Sequence, residues 1–188
     1  MRLLESEKTP HLFTVAQYMA LDIPERTELL AGVIYDVSPR NEPHRHAVRR
    51  LYEILAHALF ESEYVVQSQD AVVVPDWQGT DAPEIDIAIL KRKKYRPGPT
   101  SADAFAFIEV SDTTYAVDRK YKIPLYVNAR VPAWIVNIPL RQVEFYGSPQ
   151  DLEMQHGQVL TERDTLEILG TAIPVAALFD ENTDRDRS

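Results

Sequence analysis

The period of apolar and polar positions changes several times along the chain, and each change predicts an element. Thr14, with Gln17 three residues later, forms a capping-box pattern that opens a short helix to about Leu21, before a break at Pro24. In ELLAGVIYDVSP the apolar residues alternate about Ala31-Gly32, the pattern of a short β-hairpin ending near Pro39, with Glu28 at its start. From His44 to about Glu61 the period lengthens. Ala47, Leu51, Ile54, Leu55, Ala58 and Leu59 recur at helical spacing and define one buried face.

After Glu63 the runs become β-rich: YVVQSQDAVVVP, then IDIAIL, then AFAFIEV. The last two are apolar on both faces and are expected in the middle of a sheet. Tyr115 to Asn128 predicts a helix in which Pro124 requires a late start or a kink. AWIVNIP and QVEFYG follow as strands, then shorter strands near Gln158–Leu160 and Thr165–Leu169, and a PVAALF segment suited to packing on the core. From Asp180 onward DENTDRDRS has no apolar residue and predicts a frayed tail. No repeat or linker divides the chain. Residues 1–179 therefore read as one mixed α/β domain around a central sheet, with 180–188 as the tail.

Composition narrows the chemistry. At 188 residues and 45% hydrophobic content the chain can bury one core. It has no apolar run approaching the ~20 residues that cross a bilayer, and MRLLESEKTP lacks the basic-then-apolar layout of a signal peptide, so a cytoplasmic protein with no membrane partner is expected. The absence of cysteine excludes disulfides, thiolate zinc sites and cysteine nucleophiles, and leaves oxygen or imidazole ligands for any metal. That set favours a hard cation. A net charge of −9 is opposite in sign to that of a nonspecific nucleic-acid binder. Three local basic clusters, Arg45 with Arg49 and Arg50, Lys91–Lys94 with Arg96, and Arg119 with Lys120 and Lys122, could still meet phosphate or simply form solvated faces.

Two carboxylates stand in unusual company: Asp86 inside IDIAIL and Glu109 at the end of AFAFIEV. A buried ionised carboxylate needs a cation or donors. If the two strands pair, both side chains converge on one point. Converging oxygens suit Mg²⁺, which keeps several waters and is held by one or two carboxylates. Such an ion polarises phosphoryl oxygens and acidifies a bound water, as phosphodiester hydrolysis requires. Lys122, on the helix after the Glu109 strand, could orient that water or stabilise the transition state. Its spacing from Asp118 fits an ordinary helical ion pair equally well. By pattern alone Glu28 is a hairpin residue, His44 a residue of a helix N-terminus beside Pro43, and Tyr126 and Trp134 core aromatics. No zinc motif, Gly-rich phosphate loop or nucleophile elbow is present.

The order and spacing of ELLAGVIYDVSP, the His44 helix, PEIDIAIL, FIEVSDTTYAVDRKYKIPLY and VPAWIVN resemble the Uma2 family, a restriction-endonuclease domain within the PD-(D/E)XK nuclease superfamily. The resemblance spans roughly Thr14 to Phe179. It implies a restriction-endonuclease-like core, with a mixed sheet flanked by helices, and DNA cleavage dependent on Mg²⁺ or Mn²⁺. Asp86 matches the family's metal-binding aspartate and Glu109 the acidic residue of the motif that normally ends in lysine. Ser111 occupies that lysine's place here, and Lys122 matches a lysine moved to the following helix. Glu28 resembles a glutamate ahead of the core that completes the metal's outer shell, and His44 a histidine that touches phosphate or a metal-bound water. The usual proline before the aspartate is Ile85, with Pro83 and Glu84 ahead of it, and Asn137 stands where aspartate is common. A homodimer is expected, because two centres are needed to cut both strands, with strand edges near AWIVN or the C-terminal segment as its contact. The competing reading, motivated by the negative charge and by Ser111, is a nuclease-like fold serving as a nucleic-acid or protein-binding module with weak or lost catalysis.

Overall fold

The capping box at Thr14 forms as its residues dictate. The Thr14 hydroxyl accepts from the amide of Gln17 at 3.2 Å, and Gln17 Oε1 accepts from the amide of Thr14 at 2.9 Å. Helix α1 (Val15–Met19) starts there and stops short of Leu21. The computed structural model describes residues 11–22, 26–37, 39–147 and 157–179; Pro24 and the 180–188 segment lie outside them. Strands β1 (Thr27–Leu30) and β2 (Val33–Asp36) make the predicted hairpin, with Leu30 paired to Val33. Its two turn residues take positive φ, Ala31 at 48° and Gly32 at 77°, the geometry that matches the twist of a two-residue hairpin. A side chain at Gly32 would also meet Leu12 Cβ at 3.0 Å.

Helix α2 (Glu42–Ala58) begins two residues before His44, because Asn41 caps it by accepting from the His44 amide at 3.1 Å and Pro43 lies in the first turn. Ala47, Leu51 and Leu55 on its inner face are fully buried. They cover one face of a six-stranded sheet. Its strands are β3 (Tyr64–Ala71), β4 (Glu84–Lys91), β5 (Ala104–Ser111), β6 (Ala133–Asn137), β7 (Gln142–Tyr146) and β8 (Val159–Thr161), ordered in space as in sequence. Every pair is antiparallel except β5 with β6. A parallel pair needs a crossover, and the helical segment 115–128 supplies it.

That segment is three pieces: helix α3 (Tyr115–Val117), a π-helical stretch (Asp118–Lys122) and helix α4 (Ile123–Asn128). The Ile123 amide reaches back five residues to the Asp118 carbonyl. Pro124 explains the widening, since in an unbroken α-helix its ring would clash with the carbonyl of Lys120. The anticipated kink is thus a π-bulge, a feature often found at functional sites.

Alternation along the strands makes two cores. Ile87, Ile108, Val110, Trp134 and Val136 pack with α2, while Ala88, Phe107 and Ile135 pack with Ile123 and Tyr126 of the crossover. A second hairpin, β9 (Thr165–Ile168) with β10 (Thr171–Pro174), adds Leu166, Ile168 and Ile173 to the α2 side, and PVAALF follows with Val175 and Leu178 fully buried. The expected central place of β4 and β5 is observed. One expectation is overturned: AWIVN offers no edge for a dimer, because β6 lies between β5 and β7 with all five residues buried.

Candidate active site

Strands β4 and β5 stay paired only as far as Ile87 and Ile108. One position on, Asp86 and Glu109 project from the face shared with Ala88 and Phe107, and a side chain replaces the backbone ladder. Asp86 Oδ2 accepts from the Val110 amide at 3.0 Å and lies 3.2 Å from His44 Nε2. Asp86 Oδ1 has only the longer Arg40 Nη2 contact, at 3.3 Å, and is the less committed oxygen. Glu109 is held from behind by the Tyr126 hydroxyl, which donates to Oε1 at 2.5 Å. Its Oε2 faces Lys122 Nζ at 3.6 Å.

Lys122 enters from the last turn of the π-helical stretch. Its Nζ donates to the Glu84 carbonyl at 2.9 Å and sits 3.0 Å from Glu28 Oε2 and 3.9 Å from Asp118 Oδ1. The ion pair that its spacing suggests is present, as Lys122 pairs with Asp118 on its own helix, and the same ammonium also reaches Glu109. Ser111, in the place of the motif lysine, has its own task. Its hydroxyl and that of Thr114 each donate to Asp118 Oδ2 at 2.7 Å, which ties the π-helical stretch to the end of β5. Glu28 is directed inward by its hairpin, accepting from the Glu84 amide at 3.3 Å. His44 is both a helix N-terminal residue and a partner of Asp86.

The charges do not balance. Glu28, Glu84, Asp86, Glu109 and Asp118 face Arg40, Lys122 and a half-exposed Arg26, which pairs with Glu84 beside Arg40. Their protonation shows where the deficit falls. Burial raises the pKa of Glu109 well above the carboxylate range; Lys122 and Tyr126 pull it down less than burial, Asp118 and Asp86 push it up. For Asp86 burial also opposes ionisation, but the bond and charge of His44, Lys122 and the Val110 amide outweigh it and hold the pKa below the usual value. Lys122 is buried too, yet Glu109, Glu28, Asp118 and Asp86 keep its ammonium charged beyond the ordinary lysine range. Burial and Glu109 raise the pKa of Tyr126, which stays a donor.

All of these side chains except Arg26 and the fully buried Tyr126 line one cavity of about 500 Å³, walled by the hairpin, the start of α2, the ends of β4 and β5, and the helical segment. Among the described residues no group of three or more His, Asp or Glu side chains is placed to enclose a metal alone. The residues of the other two basic clusters do not line the cavity. Arg45 pairs with Glu42, Lys93 with Asp103, and Arg92 donates to the carbonyls of Leu59, Phe60, Ser62 and Tyr64.

A family model described as "Putative restriction endonuclease", Uma2, matches residues 15–176. The chain belongs to the Uma2 family. A crystal structure of a "putative nuclease belonging to DUF820" from Anabaena variabilis is similar over 89% of this chain and 97% of that one, with a TM-score of 0.68 and 14% identity. At that identity the likeness is one of fold. No curated protein matches the chain.

In this Uma2 chain, reading the sequence missed Arg40, Glu84 and the Tyr126 hydroxyl. Glu84 carried a signal, being two residues from Asp86 on the same face of β4. Tyr126 is the core aromatic its pattern indicates, with only the hydroxyl belonging to the site. Arg40 sits in a loop and reaches a strand 46 residues on, which no local spacing reports.

Proposed function

We propose that the cavity is the active site of an endonuclease that hydrolyses DNA phosphodiester bonds with a divalent cation, Mg²⁺ or Mn²⁺, held by Asp86 and Glu109. One observation carries the reading: two buried carboxylates at the splayed ends of adjacent strands share a cavity with a buried ammonium, and the set is short of positive charge. The donor set fits a hard cation, being carboxylate oxygens with an imidazole nearby. With no third carboxylate closing round the position, the ion would keep water ligands, as Mg²⁺ prefers. When bound, it would acidify water and polarise a phosphoryl oxygen.

The chain's own groups take distinct parts. Lys122, whose ammonium the surrounding carboxylates keep charged, donates hydrogen bonds to an attacking water or to charge developing on the phosphoryl oxygens. The Tyr126 hydroxyl fixes one oxygen of Glu109 and leaves the other facing Lys122. His44, Lys122 and the Val110 amide hold the Asp86 carboxylate ionised, Arg40 contacts its other oxygen, and Glu28 steers Lys122.

The reading extends to a cytoplasmic protein acting as a homodimer, for which no helix among the described residues is long and apolar enough to cross a membrane. Incubating a mixed panel of plasmid, linear and single-stranded DNA with Mg²⁺ or Mn²⁺ tests the activity. Cleavage is expected from the unaltered chain and lost in Asp86→Ala and Glu109→Ala; cleavage unchanged in either variant would sink the assignment. Capture of DNA without metal binding or cleavage would instead favour the binding-module reading.

A further inference from the structure

The rim of the cavity differs from its floor. Among the lining residues carboxylates outnumber Lys and Arg seven to two, and both cations, Arg40 and Lys122, are buried and already paired with carboxylates. Among the described residues the opening therefore has no row of free ammonium or guanidinium groups of the kind that tracks the phosphates of a duplex. It has apolar side chains instead. Tyr35 of β2 and Tyr121 of the π-helical stretch both line the cavity and stay 48% and 51% exposed, and Val117, four residues before Tyr121, is 43% exposed. Neither tyrosine is needed by the core. Tyr126 buries its ring completely and Tyr18 ties its hydroxyl to Thr27; these two rings do neither. Each lies beside the charged floor, since Tyr35 is the cross-strand partner of Glu28 and Tyr121 precedes Lys122. Lys120 stands 5.0 Å over the Tyr121 ring and is the ammonium nearest it in sequence outside the floor.

We infer that the site takes an unpaired nucleotide of DNA, from a single strand or a locally opened duplex, with its base stacked on Tyr121 or Tyr35 and its phosphodiester over Asp86, Glu109 and Lys122. The inference rests on the proposed nuclease reading. Base–aromatic stacking needs no complementary charge and tolerates any base, so it supplies binding where a chain of net charge −9 has little electrostatic attraction to offer. A cavity of about 500 Å³ falls in the range that buries one small ligand, and a duplex backbone cannot be enclosed that way. The selectivity follows from the same features. A paired base must first be unstacked, at a few kcal/mol, whereas an unpaired one enters without that cost.

Binding and cleavage, read separately, test it. The unaltered chain, Tyr121→Ala, Tyr35→Ala and the double variant are titrated with a fluorescent single-stranded oligonucleotide and with its duplex, in Ca²⁺, with oligonucleotide integrity followed on gels. Circular dichroism melts confirm folding, which these exposed positions should leave unchanged. Single strands are expected to bind more tightly than duplex, and the double alanine variant about tenfold or more weaker, with Phe at both positions restoring affinity. Two or three phosphate contacts predict a shallow salt dependence for the single strand, a log–log slope of about −1.4 to −2.1. Duplex binding equal to or tighter than single-strand binding, with a slope steeper than about −5 and no effect of the alanines, would overturn the inference. Cleavage of duplex in Mg²⁺ under that outcome leaves the nuclease reading standing. Stacking-dependent capture of single strands with no cleavage of any substrate removes the nuclease reading and retains the stacking surface.

Discussion

Replacing Lys122 by Met keeps most of the side chain's volume and removes the charge. Lys122 is 7% exposed, and its ammonium lies 3.0 Å from Glu28, 3.6 Å from Glu109 and 3.9 Å from Asp118. Solvent screens little of this, and the carboxylates left behind pair with no other cation among the described residues. Breaking a buried pair by removing one partner costs about 3–5 kcal/mol. For a domain of this size that corresponds to a fall in melting temperature of roughly 6–20 °C. Thermal unfolding followed by circular dichroism at pH 7 in EDTA reads it, with Lys120→Met as the exposed control, expected to change stability by less than about 0.5 kcal/mol. Titrating Mg²⁺ into the Lys122→Met chain should recover part of the loss, because a ligand bound only by the folded state at 100 times its Kd adds about 2.7 kcal/mol. A loss under about 1 kcal/mol, or one that equals that of Lys120→Met, would refute the picture of a buried ammonium offsetting carboxylates that lack other cations.

Glu109→Gln tests the same deficit from the other side. A carboxyl whose folded-state pKa is raised stabilises the fold fully below the unfolded value of about 4.3 and loses that contribution as pH rises toward the folded value. The melting temperature of the Gln variant should therefore exceed that of the unaltered chain by a margin that widens from pH 4 upward; a pH-independent difference would contradict the cause given for Glu109. Tyr126→Phe removes the hydroxyl bonded to Glu109 and should cost about 1–3 kcal/mol in denaturant unfolding, the range for leaving a buried polar group without its partner. Arg40→Gln should cost about 3–5 kcal/mol and abolish cleavage together with it, because Glu84 and Asp86 both lose a buried guanidinium; full activity in that variant would show that Asp86 is held in place without Arg40.

What was legible in the sequence follows from the range of the forces involved. Helix α2 announces itself through a period of 3.6, and strands β4 and β5 through short runs apolar on both faces, each set by burial against a core. Asp86 and Glu109 were visible because each interrupts an otherwise apolar strand, and a charge there has to be answered. The answering groups were harder to see. Arg40 and Tyr126 reach those carboxylates from a loop and a distant helix, Glu28 reaches Lys122 from a hairpin, and local spacing carries no record of such contacts. Pro124 signalled a disturbance in the helix without saying which kind, and the lysine at the end of the π-bulge makes both the Asp118 pairing and the Glu109 contact. Strand β10 escaped notice because TAIP is too short for its alternation to register, and AWIVN read as an edge because a strand's place in a sheet is decided by its neighbours.

Calorimetric titration of the metal-free chain with Mn²⁺, repeated on Asp86→Ala and Glu109→Ala, tests whether Asp86 and Glu109 share a cation in this cavity. Saturable binding is expected that tightens as pH rises, as deprotonation of Glu109 requires, and that is lost in both variants while their folds persist. Binding that survives in either variant, or DNA cleavage that continues in EDTA, would contradict a shared cation.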